Sequence, residues 1–151
     1  MNFDLFNIKK VVKEDIPEIL KIIDNIFPYT YFNDKTILKK IVDKNFFLIK
    51  FVQKNFFVGF AEIEFFPEKK ESRLNAVFVS ESFRKKGIAT KLLQNCINEV
   101  KKRHYNIFFL LVKENNFVAK KLYSKSGFCF ERFYEKEIDN SIIEMWSIKF
   151  D

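Results

Sequence analysis

Residues 77–90 read Val77-Phe78-Val79-Ser80-Glu81-Ser82-Phe83-Arg84-Lys85-Lys86-Gly87-Ile88-Ala89-Thr90. An apolar strand runs into a short basic turn, and a long amphipathic helix leaves it. A helix start leaves its first backbone N–H groups without intrahelical partners, and the helix dipole adds partial positive charge there. Gly87 removes the Cβ that would hold an anion away, and Ala89 is small for the same purpose. Arg84, Lys85 and Lys86 add cationic charge at the rim. These features converge on one chemistry, the binding of a phosphate or pyrophosphate. The chain has only three glycines, Gly59, Gly87 and Gly127, so one placed in this turn carries weight.

The elements that must hold this turn follow from hydrophobic periodicity. Residues 6–12 predict a first strand. Residues 14–26 predict a helix, with Ile16, Ile19, Leu20, Ile22, Ile23 and Ile26 near helical spacing and Pro17 in the first turn. The segment 27–34 breaks it, and Asp34 is the expected cap of a second helix carrying Ile37, Leu38, Ile41 and Val42. Residues 46–52 and 56–66 predict strands joined by a Gln53-Lys54-Asn55 hairpin turn. In the second of these, Ala61, Ile63 and Phe65 face one way, and Glu62 and Glu64 the other.

Residues 67–71 read as a polar turn and 73–79 as a strand. Ile88, Leu92, Leu93, Cys96, Ile97 and Val100 mark the long helix, which ends in Lys101-Lys102-Arg103, cations suited to its C-terminal dipole. Residues 106–112 predict an apolar strand. Residues 115–125 predict a short helix with Phe117, Leu122 and Tyr123 inward, and Gly127 takes the usual terminating position. Residues 128–133 and 142–150 predict a last strand pair. The order β-α-α-β-β-β-α-β-α-β-β gives an α/β (α+β) fold, a mixed sheet with helices on both faces. No repeat or linker divides the 151 residues, which are expected to form a single domain.

Composition excludes several classes. An apolar fraction of 48% and a charged fraction of 31% are those of a soluble globular protein. No apolar run approaches the ~18 residues that span a bilayer. The N-terminus lacks a basic stretch followed by an apolar one, so a cytoplasmic location is expected. Two cysteines, Cys96 and Cys129, read as reduced thiols in the core. The net charge of +7 comes from lysines scattered along a chain rich in Phe, Lys, Ile and Asn, not from a basic tail. That distribution argues against nucleic acid or a membrane as partner. The cluster at Arg84, Lys85, Lys86 and Lys91 differs because it coincides with the glycine turn.

Residues 111–128 form a second motif of strand, turn, helix, glycine stop and strand. With the first segment, it resembles the GNAT superfamily of N-acetyltransferases. The family's Arg/Gln-x-x-Gly-x-Gly/Ala is matched by Arg84, Gly87 and Ala89. Its Val-x-x-x-Asn-x-x-Ala-x-x-Leu-Tyr-x-x-x-Gly-Phe is matched by Val112, Asn116, Ala119, Leu122, Tyr123, Gly127 and Phe128. Lys85 stands where many members have glycine, and Ala89 where many have a second one; backbone contacts survive both changes. The resemblance covers residues 74–130 best, and the remaining element order also fits.

The resemblance implies the GNAT fold, a mixed, mostly antiparallel sheet of six to seven strands with splayed central strands. It implies acetyl-CoA as donor, held by Val77, Phe78, Val79, Arg84, Lys85, Lys86, Gly87, Ile88, Ala89, Thr90, Asn116, Ala119 and Tyr123. Backbone groups of Val77 and Val79 would hold the acetyl-pantetheine arm where the strand parts from its neighbour at a bulge. Turn amides from Lys85 to Thr90 would hold the pyrophosphate. Asn116 would contact the pantetheine or order its turn.

Acetyl transfer needs a neutral amine, a base for its proton, a donor to the oxyanion and an acid for the departing thiolate. By resemblance Tyr123 is the acid, since a phenol with a pKa near 10 is protonated at neutral pH. The oxyanion donor would be a backbone N–H near Val77 to Val79. Glu62 and Glu64 share a strand face and are the candidate bases, directly or through water. His104 follows a helix of about 15 residues, roughly 22 Å from the phosphate turn, and is expected on the surface. No His/Cys/Asp/Glu spacing suggests a metal site.

For the acceptor, Asn25-Ile26-Phe27-Pro28-Tyr29-Thr30-Tyr31 resembles the loop between the first two helices of protein N-terminal acetyltransferases. Phe133-Tyr134 resembles their paired aromatic on the opposite wall, and residues 138–145 the stretch into their final strand. Phe27, Tyr31 and Tyr134 would then hold the substrate peptide. Two positions depart from that subfamily: Leu111 stands where a His or Glu is frequent, and Arg73 where a Tyr is frequent. A protein N-terminal α-amine is the expected acceptor. The alternatives are a small-molecule amine (a polyamine, amino acid or antibiotic) or a non-catalytic acyl-CoA-binding module on the same fold.

Overall fold

The computed structural model describes residues 7–26 and 33–151. Phe27 and Tyr31, with the rest of the segment expected to wall a peptide groove, lie outside the described residues. The strands are β1 (Ile8–Lys10), β2 (Phe46–Gln53), β3 (Phe56–Phe66), β4 (Glu71–Val79), β5 (Ile107–Lys113), β6 (Cys129–Phe133) and β7 (Ile143–Lys149). The helices are α1 (Ile16–Ile26), α2 (Asp34–Val42), α3 (Ile88–Lys102) and α4 (Phe117–Lys125). Their order along the chain is the one the periodicity predicts.

The strands form a seven-stranded sheet in the order β1-β2-β3-β4-β5-β7-β6. The β4–β5 pair is parallel and every other pair antiparallel. The β2–β3 hairpin turns at Lys54 and Asn55, both left-handed, as a two-residue turn requires for strands of native twist. On one face, Ile88, Leu92, Leu93, Cys96, Ile97 and Val100 of α3 bury against Ala61, Ile63, Phe65, Leu74, Phe108 and Leu110. On the other, Ile16 and Ile19 of α1 and Ile37 of α2 bury against Leu48 and Phe60, with Ala76 and Phe78 at the edge. No helix among the described residues is long and apolar enough to cross a membrane.

Four local expectations are corrected. The cap of α2 is Asn33, whose Oδ1 accepts from the Thr36 N–H at 3.0 Å, and Asp34 is the first helical residue. Residues 13–15 form a 3₁₀ turn ahead of α1 rather than its first turn. Phe117 is 72% exposed, because at the first position of α4 it lies outside the packed face, under the Lys120 ammonium at 5.2 Å. Cys129 is exposed on the edge strand β6, whereas Cys96 is buried in α3.

Candidate active site

The centre of the sheet opens. β4 and β5 pair only at Glu71–Ile107, Ser72–Phe108 and Arg73–Phe109. Beyond Arg73 the ladder stops, although β4 runs on to Val79 and β5 to Lys113. A bulge sets where this happens. Glu62 opposes Ala76 and Ile63 opposes Leu74, so Asn75 is an extra residue on β4. The bulge also exchanges faces: Leu74, Val77 and Val79 pack toward α3, while Ala76 and Phe78 pack toward α1 and α2.

Antiparallel alternation then fixes which backbone groups face the gap. The Ser80 N–H bonds the Val58 carbonyl at 2.8 Å, which makes residues 80, 78 and 76 the ones paired to β3. The backbones of Val77 and Val79 therefore turn toward β5, where no strand meets them. Arg84 folds back so that its Nε donates to the Val79 carbonyl at 2.9 Å, with its guanidinium 6.0 Å from the Phe78 ring. Arg84 thus ties the turn to the end of β4, and its side chain is exposed. The Val77 N–H and carbonyl and the Val79 N–H are left facing the gap, the donors and acceptor that an amide-bearing arm requires.

At the top of the gap the chain enters α3. Gly87 is the helix cap at φ 79°, ψ 9°, with no side chain capping the helix. The first helical bond runs from the Lys91 N–H to the Gly87 carbonyl at 3.1 Å, so the N–H groups of Ile88, Ala89 and Thr90 point out of the helix start. Lys85 is also left-handed, at φ 64°. Left-handed residues at 85 and 87 curl the backbone ahead of the helix start, the kind of turn in which N–H groups can converge on an anion. A Cβ built on Gly87 meets no atom within 4 Å, so the space beside it is open. Lys85 and Lys86 are exposed at its rim, and Ile88 anchors the helix start in the core.

α4 flanks the gap from β5. Asn116 orders the turn, its Oδ1 accepting from the Ala119 N–H at 3.2 Å. Ala119 and Tyr123 are partly buried against the α3-side core, with the Tyr123 ring edge-on to Phe128 at 5.9 Å between centroids. Burial pushes the Tyr123 hydroxyl up to about 12, so it holds its proton across the physiological range and can donate it. Gly127 closes the helix at φ 106°.

The opposite face of the same gap carries a polar network. Glu62 is buried and accepts from Lys40 Nζ at 3.0 Å and from Asn75 Nδ2 at 2.6 Å. Glu64 accepts from Arg73 Nη2 at 3.0 Å and from Asn75 Nδ2 at 3.3 Å. Arg73 Nε in turn donates to Asn75 Oδ1 at 2.7 Å. The structure therefore brings Glu62 and Glu64 together on the expected face, each already in an ion pair. Leu111 faces away from the α3-side core, between the buried Leu110 and Val112. Tyr134 follows β6, its N–H bonded to the Ile143 carbonyl at 2.8 Å. His104 is exposed beyond the far end of α3.

Lys40, Asn75, Lys120 and Glu144 are the residues that reading the sequence missed. Only Asn75 left a signal, a polar residue where the alternation of Leu74, Val77 and Val79 breaks step. No group of three or more His, Cys, Asp or Glu side chains that could hold a metal occurs among the described residues.

Known proteins share this architecture. The chain is 27% identical over 136 residues to the N-alpha-acetyltransferase of Saccharolobus solfataricus, covering 82% of this chain and 80% of that protein. It superposes on the PaiA N-acetyltransferase of Thermoplasma acidophilum, solved in complex with coenzyme A, with a TM-score of 0.77, 18% identity and coverage of 95% and 98% of the two chains. The ribosomal-protein-alanine N-acetyltransferase of Brucella melitensis gives a TM-score of 0.81, 18% identity and coverage of 95% and 99%. At these identities the likeness to the solved structures is one of fold. Residues 15–128 match the profile of the Acetyltransferase (GNAT) family. The chain belongs to that family and is an N-acetyltransferase with acetyl-CoA as its donor.

Proposed function

We propose that the acceptor is the α-amine of a protein or peptide N-terminus. The observation that carries this is the neutralised acceptor face. A polyamine or aminoglycoside site needs carboxylates to hold several ammonium groups, and Glu62 and Glu64 are already matched by Lys40 and Arg73. One amine on an otherwise neutral backbone suits such a face better than a polycation. The likeness to the Saccharolobus N-alpha-acetyltransferase supports the same acceptor.

In this reading the N–H groups beside Gly87 bind the diphosphate, and the gap-facing backbone of Val77 and Val79 holds the pantetheine arm. The neutral amine approaches from the Glu62–Glu64 face and attacks the thioester carbonyl. The Val79 or Val77 N–H donates to the oxyanion. Tyr123 gives its proton to the leaving sulfur, and the amine proton passes to Glu62 or Glu64, directly or through water. Phe27, Tyr31 and Tyr134 complete the proposed peptide groove.

The test is thiol release from acetyl-CoA across a panel of short peptides, spermidine and an aminoglycoside. Peptides with a free N-terminus should turn over, their N-acetylated versions should not, and Tyr123→Phe should slow the rate about 100-fold. Turnover of spermidine or the aminoglycoside, with none of any peptide, overturns the acceptor assignment.

A further inference from the structure

A second buried ion pair lies on the other side of the sheet, away from Glu62 and Glu64. Lys120 Nζ sits 3.1 Å from Glu144 Oε2 and 3.4 Å from Oε1, with the two side chains only 18% and 10% exposed. Lys120 also donates to the Glu114 carbonyl at 2.6 Å, and Trp146 Nε1 donates to Glu144 Oε1 at 2.8 Å. Glu144 belongs to β7 and opposes Val112 on β5. The pair therefore lies level with the part of β5 that has left β4.

Three observations give this cluster a purpose. Lys120 is on α4, one turn after Asn116 and one turn before Tyr123, so the three share a helix face. α4 has no fully buried side chain, whereas α3 has six, so apolar packing alone holds α4 weakly. Removing two charges from water is costly and is repaid only when both are well placed. A buried carboxylate held by Lys120 and by the Trp146 indole meets that condition, and it fixes the azimuth of α4 against β7. Among the described residues no buried side-chain polar atom is left without a partner, so the clamp is complete.

We propose that Glu144 is a positioning residue, acting through Lys120 to hold the Tyr123 hydroxyl in register with the β4–β5 gap. This rests on the reading of Tyr123 as the acid. A proton donor displaced by about 1 Å can lose up to about 100-fold in rate while ligand binding at a distant turn is unchanged. The diphosphate turn is on α3 and shares none of the hydrogen bonds or the ion pair of Lys120 and Glu144, so the larger part of the effect falls on kcat.

The test measures kcat and the KM for acetyl-CoA in wild type, Glu144→Gln, Tyr123→Phe and the double variant. Glu144→Gln should lower kcat about tenfold or more, with a clearly smaller change in that KM. In the Tyr123→Phe background the same change should cost nothing further. Lys120→Arg, which keeps the cation, should recover most of the rate that Lys120→Met loses. Multiplying losses in the double variant, or a wild-type kcat in Glu144→Gln, overturns the proposal while the acid reading stands. A wild-type kcat in Tyr123→Phe overturns the acid reading and this one with it. Where Glu144→Gln fails to fold, Lys120→Met with Glu144→Leu removes both charges together, keeps the site apolar, and is judged by the same criteria.

Discussion

Gly87 and Lys85 share a left-handed backbone but differ in what they need it for. At φ 79° with no neighbour within 4 Å, a side chain at 87 meets conformational cost, not a clash. Gly87→Ala should therefore lose only about 1–2 kcal/mol in thermal unfolding. Its new methyl would occupy the open space beside the helix start, so the KM for acetyl-CoA should rise about tenfold at nearly constant kcat, read by steady-state kinetics. Tyr123 gives a prediction in pH. Its hydroxyl ionises near 10 when unfolded and about 12 when folded. The unfolded chain thus releases this proton first, and the fold's preference for the neutral phenol is fully present below pH 10 and lost as pH rises from 10 to 12. Urea titrations at pH 9 and 11 should show wild type losing more stability over that interval than Tyr123→Phe. An equal loss in both proteins would place the phenol in water.

Among the elements, β4 is the one on which the site depends, and Gly59 is what lets it sit close to β3. A Cβ on Gly59 would lie 2.5 Å from the Phe78 carbonyl oxygen and 3.4 Å from Val79 Cα. Backbone atoms cannot step aside as a side chain can, so Gly59→Ala should cost about 1–3 kcal/mol and push the end of β4 into the gap. Unlike Gly87→Ala, it should depress the melting temperature clearly, about 2–4 °C per kcal/mol, and raise the KM for acetyl-CoA as well. The strands and helices themselves were legible in the sequence because their periods are local: β3 spans 56–66 as its alternation requires, and α3 follows its apolar stripe. The Gly87 turn was legible as a local run of strand, basic turn and helix, and the Asn116–Tyr123 motif through the family resemblance. The bulge at Asn75 was not located, since it exists only as a register between two strands. Nor were the ion pairs that frame the site, because Lys40 reaches Glu62 across 22 residues and Lys120 reaches Glu144 across 24. Such partners are chosen by tertiary packing, which periodicity does not encode. Phe117 misled for a related reason: helical spacing names a face, but at the first position of α4 that face is solvent.

At the scale of the whole molecule, a chain of net charge +7 attracts an anionic donor from a distance. Two sources of attraction compete as explanations. One is the diffuse field of scattered lysines, and the other is the exposed pair Lys85 and Lys86 beside the turn. Salt separates them from chemistry, since the screening length shrinks from about 30 Å at 0.01 M to about 10 Å at 0.1 M while a bound, partly enclosed contact is screened far less. kcat/KM for acetyl-CoA should therefore fall several-fold over that range at nearly constant kcat. Substitution separates the two sources from each other. Lys85→Gln with Lys86→Gln removes two charges at the turn, and Lys9→Gln with Lys10→Gln removes two from the edge strand β1, where both are exposed. The net charge of the two variants is the same. If local placement governs capture of the donor, the first pair should flatten the salt dependence and the second should leave it near wild type. Equal flattening in both would assign capture to the net charge and deny the turn its electrostatic part in the site.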